Sequence, residues 1–287
     1  MHPSNFGYSA PGSLDEALGL LQEHGDEAKI LAGGHSLIPA MKLRLTEPGH
    51  LIDLAQIPNL RGVRVEEQSL IVGALTTHTE VASSESVRRH LPGLADTASV
   101  IGDLQVRNRG TMGGSLAHAD PAADLPVMLT ALNASVTLMA SSGKRNVPVQ
   151  DFFVDFFTTA LADDEILTEI SIPLPEPRTG SGYAKLPHPA SGYVVVSAAA
   201  ALSIDGSGIC QSARVVIGGV GSVPHRAIAT DTALQGQSLT EDVIDAAADK
   251  AKDNIDPHGD AYADEDYKRQ MTSVYARRAI AAAAART

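Results

Sequence analysis

Hydrophobic and polar positions divide the chain into three regions, and the first of them is residues 1–54. Leu14 and Leu18 repeat at helical spacing, and short apolar runs follow at 28–31 and 51–54. Apolar residues that recur every three to four positions are typical of a helix with one buried face, whereas short apolar runs favour strands. Helix and strands in this order predict a small α/β layer.

The second region, residues 55–177, contains both short strand-like apolar runs and apolar residues at helical spacing. Strand-like apolar runs lie at 70–75, 135–139 and 166–172, and helical spacing covers 79–90, 94–104 and 127–132. A polar, glycine-rich stretch from 105 to 124 lacks either period, and it is predicted to form a loop. The second region is therefore expected to combine several strands with several short helices.

The third region, residues 178–287, begins at a glycine-rich segment, 179–182, that is typical of a linker. Two strand-like runs follow, and β-branched residues mark the second of them as buried. Two helical segments complete the region, of which the last is rich in alanine. These four elements are predicted at 194–204, 213–219, 240–254 and 267–285.

Composition narrows the functional classes. The net charge is −12 and the basic residues are scattered, which argues against nucleic acid as a partner. Cys210 is the single cysteine, so the chain can hold neither an internal disulfide nor an iron–sulfur cluster of its own. No apolar run approaches the about 18 residues of a membrane span, and the N-terminus lacks the pattern of a secretory signal. We therefore expect a cytoplasmic protein.

Two glycine pairs about eighty positions apart carry the most informative chemistry. The first is Ala32-Gly33-Gly34-His35-Ser36, and the second is Thr111-Met112-Gly113-Gly114-Ser115. Glycine permits positive φ and close approach, so successive backbone N–H groups can converge on the oxygens of a pyrophosphate. Ser36, Thr111 and Ser115 add hydroxyl groups, and Asp124 offers a carboxylate to a sugar or polyol hydroxyl.

These pairs match neither G-x-G-x-x-G nor the P-loop pattern, so the Rossmann and P-loop interpretations fail. Ordinary turns remain an alternative, because a glycine pair usually marks a turn. His118 and Asp120 could be metal ligands, but no second set of ligands stands at a suitable spacing, so no metal is expected. Ser36 and Ser115 lack a nucleophile elbow, which argues against a hydrolase.

The two motifs, followed by Pro121 and Asp124, resemble the FAD-binding subunit of the xanthine dehydrogenase and aerobic carbon monoxide dehydrogenase family of molybdenum hydroxylases. The resemblance extends over essentially the whole chain and includes Gln105 to Gly110 and Tyr183 to Leu186. It implies an α+β fold: two α/β FAD-binding subdomains of the vanillyl-alcohol-oxidase/PCMH-like type, and a C-terminal domain of antiparallel strands and helices. The implied domains are 1–54, 55–177 and 178–287.

The resemblance also implies which residues bind FAD. Gly33, Gly34 and Ser36 would lie nearest the pyrophosphate, with the second motif completing the cradle. The implied binding residues in the two motifs are Lys29, Ile30, Leu31, Ala32, Gly33, Gly34, His35, Ser36, Leu37, Thr111, Gly113, Gly114 and Ser115.

Further implied contacts lie outside the motifs. Asp124 would hold the ribityl chain or a neighbouring hydroxyl, Lys185 would approach the pyrimidine edge of the flavin, and Tyr193 would cover one face of the ring. A cation beside that edge would stabilise the negative charge of reduced flavin. A surface lysine and a core tyrosine remain the simpler alternatives. The other implied contacts are Ile101, Gly102 and Leu167.

The implied function is electron transfer as an oxidoreductase subunit without catalytic residues of its own. Its implied partners are a large molybdenum-cofactor subunit, a small 2Fe-2S subunit and an external acceptor such as a quinone, in two copies of a heterotrimer; a peripheral membrane association of that complex stays open. Two alternatives remain: a stand-alone FAD-dependent oxidoreductase of the same fold, and a scaffolding subunit that has lost its flavin. The substrate is not determined by this sequence.

Overall fold

The computed structural model describes residues 2–287, and its strands form three main sheets and one small hairpin. The strands are β1 (Gly7–Ser9), β2 (Ala28–Leu31), β3 (His50–Asp53), β4 (Val63–Glu66), β5 (Ser69–Gly73), β6 (Ser135–Ala140), β7 (Gly143–Pro148), β8 (Phe153–Asp155), β9 (Thr158–Thr159), β10 (Ile166–Pro173), β11 (Thr179–Pro187), β12 (Val194–Ile204), β13 (Cys210–Gly218) and β14 (His225–Arg226).

The α-helices lie between and after these strands. They are α1 (Leu14–His24), α2 (Leu37–Lys42), α3 (His78–Ser83), α4 (Glu85–His90), α5 (Pro92–Ser99), α6 (Leu104–Arg109), α7 (Met112–His118), α8 (Leu125–Ala131), α9 (Val149–Phe152), α10 (Ile228–Leu234), α11 (Glu241–Ala248) and α12 (Glu265–Ala284).

The first sheet is parallel, with the order β1-β3-β2. Helix α1 begins where the hydroxyl of Ser13 accepts a hydrogen bond from the N–H of Glu16. Its apolar face buries Ala17, Leu18 and Leu21 in a core shared with Ile52. Together with α1, this sheet is the α/β layer that the sequence predicts. The loop that carries the first glycine pair follows β2 directly.

The second sheet is antiparallel, with the order β4-β5-β10-β6-β7. Its inner face packs against helices of the 78–131 segment in the largest core of the molecule. The predicted strands at 70–75, 135–139 and 166–172 are present with small shifts of their ends. The segment predicted as one helix over 79–90 is instead two helices, because Ser84 caps a new one.

The third sheet is antiparallel, with the order β11-β12-β13-β14, and α12 packs on one of its faces. The predicted linker at 179–182 is wrong, because these residues begin β11. A Cβ on Gly180 would overlap the carbonyl oxygen of Ala283, and one on Gly182 that of Ala279. The glycines therefore allow a strand and a helix to pack closely. The mixed α+β class with an antiparallel C-terminal part is confirmed.

The predicted loop over 105–124 is also wrong over most of its length, because α6 and α7 occupy much of 105–118. Likewise, the predicted helix over 94–104 ends at Ser99, and Leu104 opens the next one. Within residues 2–287, no helix combines the length and the apolar character needed to cross a bilayer. Over the same range, no cluster of three or more His, Cys, Asp or Glu side chains is arranged to hold a metal ion.

Candidate functional site

The first glycine motif is an open loop between β2 and α2. Gly34 has a φ of +77°, a conformation that glycine adopts without strain. Within residues 2–287, the backbone N–H groups of Gly33, Gly34, His35 and Ser36 donate to no acceptor, while the Gly34 carbonyl accepts from the N–H of Ile38 at 3.1 Å. Successive free N–H donors of this kind can bind an anionic ligand such as a pyrophosphate.

The second glycine motif is a helix start rather than a loop. Thr111 caps α7, and its hydroxyl accepts a hydrogen bond from the N–H of Gly114 at 3.1 Å. The N–H groups of Met112 and Gly113 donate to the carbonyls of Thr76 and Ala74, at 2.9 and 2.8 Å. The donors of this motif are therefore largely engaged inside the protein, and its glycines do not have positive φ.

Close packing brings the two motifs together. A Cβ on Gly33 would overlap the carbonyl oxygen of Arg109, and one on Gly114 would lie 3.6 Å from the Cβ of Ala32. A Cβ on Gly113 would lie only 2.6 Å from that of Ala74. The glycines thus remove side chains at the contact between the first loop and α7, so the free donors of the first loop lie beside the second motif.

A buried histidine that sequence reasoning missed lies next to both motifs. His78 opens α3, where the Thr77-to-Glu80 capping box could have marked the helix start. Its side chain is 4% exposed, its Nδ1 has no hydrogen-bond partner within residues 2–287, and its ring packs against Gly110. Burial, followed by the charges of Arg107 and His35, lowers the pKa of His78 to about 4. A neutral ring therefore supports the second motif.

Asp124 and Lys185, which are 61 positions apart, meet in a buried ion pair. The Lys185 Nζ lies 2.8 Å from the Asp124 Oδ1, and both side chains are less than a tenth exposed. The same oxygen accepts a hydrogen bond at 2.8 Å from the hydroxyl of Tyr183, a residue that the sequence analysis names only as part of the family resemblance and not as a binding residue. Tyr183 and Lys185 are two positions apart on β11, so they share one face of the strand.

The cluster formed by Asp124, Lys185 and Tyr183 holds a carboxylate that is buried away from water. Burial raises the pKa of Asp124, and the opposing effects of the Lys185 ammonium and the Tyr183 hydroxyl favour its charged form. Burial and the nearby Asp124 raise the pKa of Tyr183 well above its usual range. Lys185 is consequently not an unpaired cation, because a carboxylate oxygen of Asp124 lies 2.8 Å from its ammonium group.

A cavity of about 390 Å³ adjoins the cluster. Lys185 also donates to the carbonyl of Gly192 at 2.9 Å, which holds the 187–193 loop beside the cavity. Gly192 has a φ of +73° and packs near Gly102. Tyr193 follows it at the surface, and burial is the first cause that raises the pKa of its hydroxyl. The residues that line the cavity are Asp96, Val100, Gly102, Tyr183, Ala184, Lys185, Pro187 and Gly192.

Some residues expected to bind the cofactor lie away from the Asp124–Lys185 pair and the cavity beside it. Leu167 is buried in the second sheet, where it pairs with Leu138 and belongs to the main core. Lys29 points to solvent from β2, and Ile30 packs against the core of the first sheet. Ile101 packs partly against the main core next to Gly102. The remaining expected residues lie on the first loop and at the ends of β2 and α2 that flank it, on α7 and its cap, and around the cavity.

The arrangement fits a dinucleotide cofactor with a flat ring. The free N–H groups of the first loop suit a pyrophosphate, and the buried carboxylate of Asp124 can accept a hydroxyl hydrogen bond. The cavity beside Lys185 is of the size of small-molecule sites and is lined mainly by apolar surface. The residues present therefore accommodate the FAD that the sequence resemblance implies.

Comparison with known proteins assigns both parts of the chain. The family described as FAD binding domain in molybdopterin dehydrogenase matches residues 4–175, and the CO dehydrogenase flavoprotein C-terminal domain matches residues 181–283. The carbon monoxide dehydrogenase medium chain of Hydrogenophaga pseudoflava is 39% identical, with 100% of this chain and 99% of that protein covered.

Two further similar proteins have names that give different substrates. The 6-hydroxypseudooxynicotine dehydrogenase complex subunit alpha of Paenarthrobacter nicotinovorans is 35% identical and covers 99% of this chain and 96% of its own length. A solved structure of carbon monoxide dehydrogenase from Hydrogenophaga pseudoflava superposes with a TM-score of 0.96 and 40% identity, covering 100% of this chain and 99% of the other. This chain is therefore an FAD-binding oxidoreductase subunit and belongs to the family of FAD binding domains in molybdopterin dehydrogenases.

Proposed function

We propose that the chain is the electron-transferring flavin subunit of a molybdenum hydroxylase, in which the substrate is oxidised on a separate subunit. When bound, FAD supplies the ability to accept electrons one or two at a time and to pass them on. The observation that carries the proposal is the row of free N–H donors at Gly33 to Ser36, which lies beside α7 within a chain of this family. With a single cysteine, this chain relies on a partner for the iron–sulfur clusters.

In the proposed site the first loop donates its backbone N–H groups to the pyrophosphate, and α7 forms the wall against which that loop packs. Asp124 accepts a hydrogen bond from a cofactor hydroxyl while it holds Lys185 in place. Lys185 faces the ring edge through the cavity and ties down the loop that carries Tyr193. Tyr193 covers one face of the ring and limits access of water and oxygen.

We further propose that the partners are a large molybdenum-cofactor subunit and a small 2Fe-2S subunit, and that an external acceptor such as a quinone takes the electrons. The names of the relatives support a multi-subunit assembly, because one relative is called a medium chain and the other is called subunit alpha of a dehydrogenase complex. These two relatives are 39% and 35% identical to this chain, yet their names give different substrates. The sequence of this chain therefore does not identify the substrate. A cytoplasmic location and the division into 1–54, 55–177 and 178–287 belong to the same proposal.

The absorption spectrum of the purified chain, alone and co-expressed with the reading frames that flank its gene, tests this function. We expect flavin bands near about 370 and 450 nm, FAD released by acid, and substrate turnover only in the complex. Turnover of substrate by the chain alone would replace the proposal with a stand-alone oxidoreductase. A colourless full complex would replace it with a scaffolding subunit.

The roles of Lys185 and Asp124 are tested by the flavin reduction potential. Lys185→Met removes the cation and should lower the potential by tens of millivolts, where about 30 mV corresponds to about 1.4 kcal/mol for two electrons. Asp124→Asn leaves Lys185 uncompensated and should raise it. The exposed pair Lys252 and Asp249 offers a matched control, since Lys252→Met should leave the potential unchanged. Potentials that are equal in all variants would place the ion pair away from the ring.

A further inference from the structure

A second cavity, of about 190 Å³, lies at the seam between the third sheet and the helices that follow β5. Its walls come from α4 and the start of α5 on one side, and from β11, β12 and Arg286 on the other. It shares no lining residue with the cofactor cavity. We call it the seam cavity, and binding of FAD beside Lys185 gives it no role.

The charged side chains that line the seam cavity are basic. Arg89 and Arg286 contribute two guanidinium groups and His90 adds an imidazole, while among residues 2–287 no aspartate or glutamate lines the cavity. This balance is the opposite of that of the whole chain, whose net charge is −12. A cleft lined by charges of one sign concentrates ions of the other sign, so the seam cavity favours an anionic ligand.

Arg89 is an exposed side chain whose donors are unused. Within residues 2–287 its guanidinium forms no hydrogen bond and no ion pair, although Glu85 stands four positions earlier on α4. The neighbouring Arg88 is tied to α3 instead, because its Nε donates to the carbonyl of Ala82 at 2.8 Å. The forked N–H groups of Arg89 are therefore available to a ligand in the cavity.

Arg286 supplies the second guanidinium group from the other wall. One of its terminal nitrogens donates to the carbonyl of Ser181 at 2.8 Å, and the other pairs with the carboxylate of Asp96 at 2.5 Å. Both side chains of this ion pair are partly exposed, and exposed ion pairs contribute little to stability. An anion in the cavity can therefore compete with Asp96 for Arg286.

A buried hydroxyl group without a partner also belongs to the seam cavity. Ser181 is 5% exposed, and its hydroxyl forms no hydrogen bond with any of residues 2–287. This side chain faces α5, because a Cβ on Gly93 would lie 2.6 Å from its Oγ, whereas the glycines on either side of it face α12. Thr179 lies two positions earlier on the same face of β11 and lines the cavity as well. Since buried polar groups nearly always have a partner, the Ser181 hydroxyl indicates a bound molecule.

The rest of the wall is apolar and limits the size of that molecule. Leu132, Pro175 and Ala201 line the cavity opposite the charged groups' solvent side and offer no donor from their side chains. A fully hydrated ion gains nothing against such a wall, whereas an apolar group is stabilised by leaving water. The volume of the cavity is that of about six water molecules in the liquid. It therefore suits a small ring or chain that carries one acidic group.

We propose that the seam cavity binds a small organic anion. Its carboxylate or phosphate group bonds to Arg89, to Arg286 and to the hydroxyl of Ser181, and its apolar part packs against Leu132 and Pro175. Guanidinium groups suit both kinds of anion, because their paired N–H donors match two oxygens of either group. The site goes beyond the proposed function, since none of its contacts involves the residues that would hold FAD.

Asp96 connects the seam cavity to the cofactor cavity. It pairs with Arg286 at the first and lines the second, from the middle of α5. An anion that takes Arg286 as its partner ends this ion pair, so the anion and Asp96 compete for one guanidinium group. Removing the charge of Asp96 should consequently strengthen binding of the anion.

Isothermal titration of the purified full chain with benzoate and with phenyl phosphate tests the site. We expect one site per chain for at least one of them, and the tighter of the two identifies the acidic group. Benzamide, the neutral analogue of benzoate, should not bind. Inorganic phosphate, which has the charge but no apolar part, should bind about tenfold more weakly than the tighter anion, because it buries no apolar surface.

Three variants assign the binding to the seam cavity. Arg89→Met should weaken it about tenfold, because a charge-assisted hydrogen bond is lost, and should leave the melting temperature unchanged. Asp96→Asn should strengthen it. Arg88→Met removes the same charge one position away and is the matched control, so its dissociation constant should equal that of the wild type.

Three results would overturn the proposal. Equal affinity for benzoate and benzamide would show that the cavity does not select a charge. Equal affinity of Arg89→Met and Arg88→Met for the anion would place the binding elsewhere on the chain. Absence of binding by benzoate and phenyl phosphate to both the wild type and Asp96→Asn would show that the seam cavity takes no organic anion.

Discussion

The two glycine motifs look alike in sequence but differ in what their backbones offer. In the first, Gly33 to Ser36 leave their N–H groups free, and Gly34 takes a positive φ. In the second, Met112 and Gly113 donate to carbonyls of the segment after β5, and Thr111 caps the helix. One motif leaves its N–H donors available to a ligand, whereas the other removes side chains so that a helix can pack against a loop.

This difference shows that a glycine pair with a flanking hydroxyl has at least two physical causes. Gly34 is required by conformation, while Gly113 is required by the 2.6 Å distance that a Cβ would have from Ala74. A substitution in the first motif should therefore affect the ligand, and one in the second should affect folding.

Acidification should destabilise the chain through His78. Its pKa of about 4 in the fold lies below the ordinary value of 6.5, so the unfolded chain binds the proton more readily. The stability that this group contributes is present above pH 6.5 and is lost as the pH falls through about 4. The shift corresponds to about 3 kcal/mol at most. Urea unfolding of the chain between pH 7 and pH 4 measures it.

A matched variant isolates this effect from the other titrating groups. His78→Asn keeps a polar side chain without a titrating ring, so its free energy of unfolding should fall less steeply between pH 6.5 and pH 4. His258, which is exposed, gives the control His258→Asn, whose profile should follow that of the wild type. Parallel profiles for all three proteins would mean that His78 is protonated freely in the folded state.

Gly113→Ala should destabilise the chain whether or not FAD is present. The added Cβ meets the Cβ and backbone of Ala74, and overpacking of a buried contact costs about 1–3 kcal/mol. We expect about 2 kcal/mol in urea unfolding and little change in the FAD dissociation constant of the folded protein. Gly19→Ala, where a Cβ meets nothing, is the control and should be neutral or stabilising. A large loss of FAD affinity at unchanged stability would contradict the packing role.

Gly34→Ala should show the reverse pattern. Alanine at a φ of +77° costs about 1–2 kcal/mol, which the loop can avoid by leaving the conformation that aligns its N–H groups. We therefore expect FAD to bind at least tenfold more weakly, with a loss of stability smaller than that of Gly113→Ala. Gly236→Ala, at a φ of +76° far from the motifs in sequence, controls for strain alone. Equal FAD affinity in the wild type and Gly34→Ala would exclude the first loop as the donor to the pyrophosphate.

The sequence predicts the long, strongly patterned elements well. The strand over 194–204 has the predicted ends, and α12 lies within two residues of its predicted range. The short helices α6 and α7 were missed, because helices of six or seven residues are stable only through tertiary contacts. The start of β11 resembles a linker in sequence, because Gly180 and Gly182 suggest flexibility, whereas in the fold they allow close packing against α12.

The site could be predicted only in part, because it also depends on tertiary contacts. Local motifs identify the two glycine pairs, but nothing local indicates that Asp124 pairs with Lys185 across 61 positions. Tyr183 could have been found, since it shares a strand face with Lys185 by the period of two. His78 could have been noticed only through the capping box beside it, because its burial arises from the approach of Gly110. Contacts between distant segments therefore decide most of the site.

The smallest effect should come from the cap of α7. Thr111→Ala removes the acceptor for the Gly114 N–H, and loss of such a cap costs about 1 kcal/mol. Thr111→Ser keeps the hydroxyl and should restore most of that stability in thermal unfolding. Because the freed N–H of Gly114 lies near the first loop, FAD affinity should change by less than in Gly34→Ala. If Thr111→Ala weakened FAD binding more than Gly34→Ala did, the hydroxyl of Thr111 would be a cofactor ligand rather than a helix cap, and the two motifs would share one role.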